Sequence, residues 1–132
     1  MIDDMNKVKI TALKQTVYDD LIKKYENPIK HACSINVGEC FISEQCEKPS
    51  GFCESAWLNI YPFVVALACG GENIYDGWMK NKKTAMISCN DGFRPMSFLI
   101  EALVNSWYKL ETLKIKKLMI YMLTKIKING KI

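Results

Sequence analysis

The sequence lacks any apolar run long enough to span a membrane. Its longest strongly apolar stretches are Tyr61–Cys69 and Leu118–Leu123, and both are far short of the roughly 20 residues that a membrane helix requires. The opening residues, Met1–Met5, also lack the basic region and the apolar run of a secretory signal. We therefore expect a soluble, cytoplasmic protein.

The first 100 residues lack any excess of positive charge. Residues 1–100 carry 11 basic and 12 acidic side chains, whereas residues 101–132 carry 7 lysines and only 2 acidic side chains. The net charge of +4 therefore comes from the C-terminal segment, and the body of the chain gives no nucleic-acid signal. Residues 102–132 form a basic amphipathic extension. We expect either a helix packed on the domain or contact with an anionic membrane or an acidic partner.

The sequence also lacks any pair of cysteines separated by two residues. Zinc ribbons and thioredoxin-like motifs use that spacing to present two thiolates from one tight turn. A disulfide scaffold is not expected either, because the expected compartment is reducing. Three alternatives remain for the cysteines: buried unreactive thiols, a metal or cluster site assembled in space, and a redox or nucleophilic thiol. The six cysteines are Cys33, Cys40, Cys46, Cys53, Cys69 and Cys89.

Alternating hydrophobicity predicts a mostly antiparallel sheet. In the first strand, Val8, Ile10 and Ala12 lie on one face and lysines on the other. Asn90-Asp91-Gly92 has the residues of a hairpin turn, so the strands on either side of it are expected to pair. The predicted strands are residues 6–14, 39–43, 84–89 and 93–100.

Helical spacing predicts two or three helices beside this sheet. Residues 19–25 place acidic before basic side chains, which suits the dipole of a short helix. Residues 54–67 carry apolar side chains at spacings of three and four. We expect Pro62 to kink or divide this longer helix and Gly70-Gly71 to cap it. The fold class is therefore a small single α+β domain over residues 1–101, followed by a helical basic extension over residues 102–132.

Three segments carry a resemblance to a known family. They are His31-Ala32-Cys33, Pro49–Trp57 with the pattern Pro-x-Gly-Phe-Cys-x-x-Ala-Trp, and Cys89–Pro95 with the pattern Cys-x-Asp-Gly-x-Arg-Pro. Over residues 7–101, the chain resembles a family of small uncharacterised proteins of anaerobic bacteria and archaea. The resemblance implies no activity. The chain departs from the family pattern at Ser34, where a proline is usual, and at Ser88, where a second cysteine often precedes Cys89.

The cysteines that match the family pattern are candidates for one site. Cys53 is expected at the start of a helix, where the partial positive charge favours a thiolate. Cys89 is expected at the end of a strand, before a tight turn. If the hairpin packs against the helix entry, these two sulfurs meet that of Cys33 in an open metal site. His31, the single histidine, is a candidate fourth ligand, and an exposed or structural imidazole is its alternative. Zinc and an iron–sulfur cluster are the candidate cofactors.

Arg94 is the single arginine among 18 basic residues. Lysine provides the general surface charge of this chain. An arginine in the hairpin therefore indicates a role that requires the planar guanidinium group, which can donate several hydrogen bonds in a fixed geometry. One such task is an internal ion pair with Asp91 or with a helix acid, and the other is binding of an anionic ligand.

Familiar catalytic signatures are absent. The sequence has no phosphate-binding loop, no dinucleotide-binding glycine motif, no zinc-protease motif and no nucleophile elbow. We therefore expect a binding or accessory module that holds a metal through its cysteines. The alternative is a small thiol-dependent enzyme that uses Cys53 or Cys89 as its nucleophilic or redox group.

Overall fold

A four-stranded antiparallel sheet forms one layer of the protein. The structure is a computed structural model, and it describes residues 5–104 and 106–129. The strands lie in the order β2-β1-β4-β3, and every neighbouring pair is antiparallel. Their bounds are β1 (Lys7–Gln15), β2 (Cys40–Ser43), β3 (Thr84–Ser88) and β4 (Met96–Leu103). The predicted α+β class with an antiparallel sheet is confirmed.

The alternating pattern of β1 buries one face of the strand in the core, as predicted. Val8, Ile10 and Ala12 are fully buried, and the residues between them are at least partly exposed. Ile10 pairs with Ile100 at the centre of the sheet. The register of β1 against β4 shifts between Ala12 and Lys14, which is an irregularity that the alternation did not predict.

The described part of the chain contains four helical segments. The long helix α2 packs on the sheet with Ala56, Ile60, Val64, Leu67 and Ala68 buried, at spacings of three and four. The helices are α1 (Asp19–Tyr25), α2 (Glu54–Ala68), α3 (Ile74–Gly77) and α4 (Ser106–Asn129). The segment α3 is a single turn rather than a regular helix, because its Tyr75 and Asp76 have left-handed backbone angles.

Helix α2 continues through Pro62. This proline lies on the exposed side of the helix, where water can serve the carbonyl four residues earlier that a proline leaves without a donor. The predicted division into two helices does not occur. The predicted glycine cap does: Gly70 has a φ of +89°, and the N–H of Gly71 donates to the carbonyl of Ala66 at 2.7 Å, as in a Schellman motif.

The C-terminal extension is helical and its described side chains lie in solvent. Strand β4 continues to Leu103, which pairs with Lys7, two residues beyond the predicted boundary at 101. Every side chain over residues 113–127 of α4 is exposed. The interpretation of this stretch as a helix packed on the domain is therefore wrong for those residues. Contact with an anionic membrane or an acidic partner stays a prediction. Within residues 5–104 and 106–129, no helix combines the length and the apolar character needed to cross a bilayer.

Candidate functional site

A cavity of about 260 Å³ opens where the start of α2 meets the β3–β4 loop. Its inner wall is apolar and comes from the core, with Ile35, Ala56, Met96 and Phe98, all of which are buried. Three cysteines line the same cavity, namely Cys33, Cys53 and Cys89. Polar side chains complete the lining, and they are Ser55, Asn90, Asp91 and Arg94.

Cys53 reaches the cavity from the N-cap position of α2. Its backbone is extended, and its carbonyl accepts the Trp57 N–H at 2.9 Å, which begins the helix. Its side chain makes no capping hydrogen bond. The preceding Phe52 is buried and packs against Phe98, with ring centroids 5.4 Å apart. This anchor in the core fixes the position of Cys53 at the edge of the cavity.

Cys89 reaches the cavity from the first position after β3. Its N–H donates to the Met96 carbonyl at 2.9 Å, and its sulfur accepts the Met96 N–H at 3.2 Å. The two residues therefore close the β3–β4 loop from both sides, and the sulfur is held in place by a backbone donor. The sequence alone gave no indication of this bond, because a cysteine sulfur is only a weak acceptor.

Cys33 reaches the cavity from the loop between α1 and β2. The N–H of Ile35 donates to the Cys33 sulfur at 3.4 Å, and the sulfur lies 3.5 Å from the Ile35 carbonyl. Ile35 is 4% exposed and belongs to the core cluster. A single buried side chain therefore ties an otherwise exposed loop, and its thiol, to the cavity.

Three of the four predicted metal ligands share this cavity, and the fourth does not. His31 is exposed and is not part of the lining. Within the described ranges, no three histidine, cysteine, aspartate or glutamate side chains are grouped so as to hold a metal ion. A zinc or iron–sulfur centre at Cys33, Cys53, Cys89 and His31 stays a prediction.

Two hydrogen bonds fasten the start of α2 to the opposite wall of the cavity. The Ser55 hydroxyl donates to the Asn90 side-chain carbonyl at 2.6 Å. One turn later, the Asn59 amide donates to the Ser88 carbonyl at 3.3 Å. Neither bond is predictable from the sequence, because neither the spacing nor the type of these residues distinguishes them from ordinary surface polar groups.

Arg94 holds two carboxylates at once on the rim of the cavity. One guanidinium nitrogen donates to Asp91 at 3.1 Å, and another donates to Glu26 at the C-terminal end of α1. The side chains of Arg94 and Glu26 are only 15% and 13% exposed. The internal ion pair is thus present in the structure, with Asp91 and a helix acid both serving as partners.

Asp91 also organises the backbone of the β3–β4 loop. One of its carboxylate oxygens accepts the N–H groups of Phe93 and Arg94, at 2.8 and 3.2 Å. Burial by itself would raise the pKa of Asp91, but these two donors and the guanidinium outweigh it and hold the pKa below its ordinary value. Asp91 is therefore a charged group whose ionisation supports the shape of the rim.

The hydrogen bond to Glu26 raises the pKa of Arg94 above its ordinary value, against the opposing effect of burial. The Asp91 carboxylate adds to the same rise. Two carboxylates balance one guanidinium here, so the rim carries no unpaired positive charge. An anionic ligand would have to displace one of these carboxylates.

The Arg94–Glu26 ion pair lies between the thiol-lined cavity and a second surface depression. On its far side, a shallow depression of about 510 Å³ is lined by the end of α1 and the following loop, including Glu26, Pro28 and Ile29. Arg94 and Ala32 line both the depression and the thiol-lined cavity. Glu26 and Arg94 therefore form part of the wall that separates them.

Comparison with known proteins finds no match for this chain. No protein-family model, curated protein or solved structure matches this chain. The resemblance in Pro49–Trp57 and Cys89–Pro95 to a family of small proteins of anaerobes stays a prediction.

Proposed function

We propose that this protein is a binding module whose thiol-lined cavity holds a small ligand. The observation that carries the proposal is the convergence of Cys33, Cys53 and Cys89, which come from three separate segments, on one cavity with an apolar inner wall. Ligand pockets for small molecules are typically apolar concavities of about 300–1,000 Å³ with a few convergent polar groups. At about 260 Å³, this cavity lies just below that size range and suits a ligand smaller than a typical drug-sized molecule.

The charges on the rim favour a neutral ligand or a soft cation over an anion. Arg94 is already engaged by Asp91 and Glu26, and separating such a half-buried pair leaves a carboxylate without a partner. The apolar wall and the polarizable sulfurs favour contacts with an apolar or soft group. The ligand that fits best is therefore small, neutral and partly apolar.

A metal ion held by the same thiols is the finer form of this proposal. Zinc or an iron–sulfur cluster would require the sulfurs of Cys33, Cys53 and Cys89 to approach one another, because they are not grouped around one point as the side chains stand. Titration of the reduced protein with Zn²⁺ alone tests this form. Binding that is lost in Cys53→Ser and kept in Cys40→Ser would support it, and equal binding by both variants would exclude it.

We further propose that the protein works in the cytoplasm. Its six cysteines are all free, and free thiols persist in a reducing compartment. The family resemblance also implies an anaerobic source, in which such thiols are protected from oxidation.

A small thiol-dependent enzyme is the second candidate function. Cys53 favours it, because its sulfur lies at the positive end of a 15-residue helix, on a cavity, with no capping hydrogen bond. An activated thiol normally has a base beside it, however, and the one histidine of the chain does not line this cavity. This is why binding is the function we favour.

Site-resolved alkylation distinguishes the two functions. The folded, reduced protein is treated with iodoacetamide, and mass spectrometry follows each cysteine separately. A binding module is expected to show Cys53 and Cys89 reacting more slowly than the exposed Cys40, which serves as the internal reference. A cavity thiol that reacts several times faster than Cys40 would overturn the binding proposal in favour of the enzyme.

A further inference from the structure

Three sulfur-bearing side chains lie at the other end of α2, away from the thiol-lined cavity. They are Met5, Cys46 and Cys69, and we call them the sulfur cluster. The N–H of Asn6 donates to the Ala68 carbonyl at 2.8 Å, and the Asn6 side chain donates to the Leu67 carbonyl at 3.3 Å. These bonds hold the residue before β1 against the end of α2. Met5 and Cys69 are the immediate neighbours of the two bonded residues, so the chain brings them to the same place.

Cys46 joins this cluster from the turn after β2. Its thiol points at the Met5 sulfur, with the two sulfurs 3.8 Å apart. The turn is closed by the Ser43 hydroxyl, which donates to the Glu47 carbonyl at 2.7 Å, and Ser43 itself is buried. Cys46 has a φ of +60°, a backbone conformation that only a firmly held turn imposes on a residue with a side chain. Met5 and Cys46 both pack against the core cluster.

Cys69 lies within electrostatic reach of Cys46. Burial raises the pKa of Cys46, and a negative charge on Cys69 would raise it further.

We propose that Met5 Sδ, Cys46 Sγ and Cys69 Sγ form a three-coordinate site for Cu(I). Thiolate and thioether sulfurs are soft ligands, and this combination selects Cu(I) over harder cations. With metal–sulfur bonds of about 2.3 Å, the length found for zinc thiolates, the sulfurs of a trigonal site lie about 4 Å apart. Two of the three already stand 3.8 Å apart.

Binding of Cu(I) at this site releases two protons and changes no oxidation state. Cu(I) replaces the two thiol protons of Cys46 and Cys69, which pass to solvent, and copper keeps its oxidation state. The bound site carries one net negative charge from two thiolates and one monovalent cation. Zinc is disfavoured, because it prefers four nitrogen, oxygen or thiolate ligands, and the described residues offer no third histidine, cysteine, aspartate or glutamate to such a group.

The test is a Cu(I) titration of the reduced full-length protein without oxygen, against a chromophoric Cu(I) chelator. We expect one Cu(I) per chain at the sulfur cluster. Cys69→Ser, at an exposed position, should lower the affinity by more than roughly 100-fold, beyond the loss typical of changes outside the ligand shell. Cys46→Ser should do the same, and Met5→Leu should cost roughly tenfold, because a neutral thioether contributes less than a thiolate.

Matched cysteine variants outside the cluster locate the ion. Cys40→Ser is expected to bind Cu(I) as the parent does, and X-ray absorption is expected to show three sulfur neighbours. Affinity that survives Cys69→Ser but is lost in Cys53→Ser would overturn the proposal by placing the ion in the other cavity. Failure of the reduced protein to bind Cu(I) would overturn it as well. The unfolding midpoint of each variant shows that a lost affinity is not a lost fold.

Discussion

The guanidinium of Arg94 donates to the carboxylate of Glu26, although the two residues lie 68 positions apart in the chain. Glu26 is the C-cap residue directly after α1, and Arg94 lies in the β3–β4 loop on the rim of the thiol-lined cavity. Asp91 holds the other side of the same guanidinium. This triad fixes the position of α1 and the loop together, and with them one wall of the cavity.

Arg94→Lys is expected to lower the midpoint of thermal unfolding. A lysine is a point charge and cannot hold two carboxylates in a planar fork, so Glu26 or Asp91 is left half-buried without a partner. Arg94→Met should lower the midpoint further, because both carboxylates then lose their positively charged partner. Differential scanning calorimetry measures the three midpoints.

The exposed pair of Lys7 and Glu44 provides the control for the arginine variants. Lys7→Met is expected to change the midpoint much less, because exposed ion pairs contribute little to stability. An Arg94→Lys protein as stable as the parent, but weaker in ligand binding, would instead assign Arg94 to the ligand.

Stability should fall at acid pH in a way that depends on Asp91. Its pKa is below the ordinary value of 3.8 in the folded protein, so the unfolded chain takes up the proton first as the pH falls. The stability from this carboxylate is complete well above 3.8, declines as the pH approaches that value, and is lost below the folded-state pKa. Urea unfolding between pH 7 and pH 2 measures it. Asp91→Asn should be less stable at neutral pH and show a shallower acid decline, and an unchanged slope would contradict this role.

Gly71→Ala should destabilise the end of α2. An added Cβ would lie 2.7 Å from the Ala66 carbonyl oxygen, which is backbone and cannot turn away. We expect a loss of about 1–3 kcal/mol in the free energy of unfolding, the usual cost of forcing atoms into occupied space. Gly92→Ala is the matched control, because an added Cβ there meets nothing within 4 Å. Its free energy should stay within about 0.5 kcal/mol of the parent, and equal losses in urea unfolding would refute the explanation.

Removal of residues 105–132 should leave the domain intact. Strand β4 ends at Leu103, and the described side chains of α4, over residues 113–127, are all exposed. The free energy of unfolding of a chain that ends at Val104 is therefore expected to lie within about 0.5 kcal/mol of that of the full protein. Urea unfolding of the two chains compares them. A loss of several kcal/mol would show that the helix supports the domain.

Much of the fold follows from local patterns in the sequence. The alternation of Val8, Ile10 and Ala12 correctly placed all three in the core, because a strand with one buried face forces that period. The spacing of Ile60 and Val64 did the same for α2. Local patterns could not reveal the shifted register beyond Ala12 or the left-handed turn at Tyr75, because both arise from how the chain closes in three dimensions.

The candidate site was partly accessible from the sequence. Motifs around Cys53 and Cys89, with a turn between strands, indicated that these thiols could meet Cys33, and the structure places all three on one cavity. The sequence could not exclude His31 from that set, because a single histidine carries no spacing information. Glu26 had no signal beyond its acidic type, since its partner lies on a distant segment.

Fragment titration followed by ¹H–¹⁵N NMR determines whether the thiol-lined cavity binds a small neutral ligand. The probes are neutral, partly apolar fragments of about six to ten non-hydrogen atoms, suited to a cavity just below the usual range of ligand-pocket sizes. We expect saturable shifts of the backbone signals of residues 53–56 and 89–96, kept in Cys40→Ser and lost in Cys53→Leu, whose larger side chain fills the cavity. If no fragment shifts these signals, or if the shifts are the same in Cys53→Leu, the cavity is not the binding site.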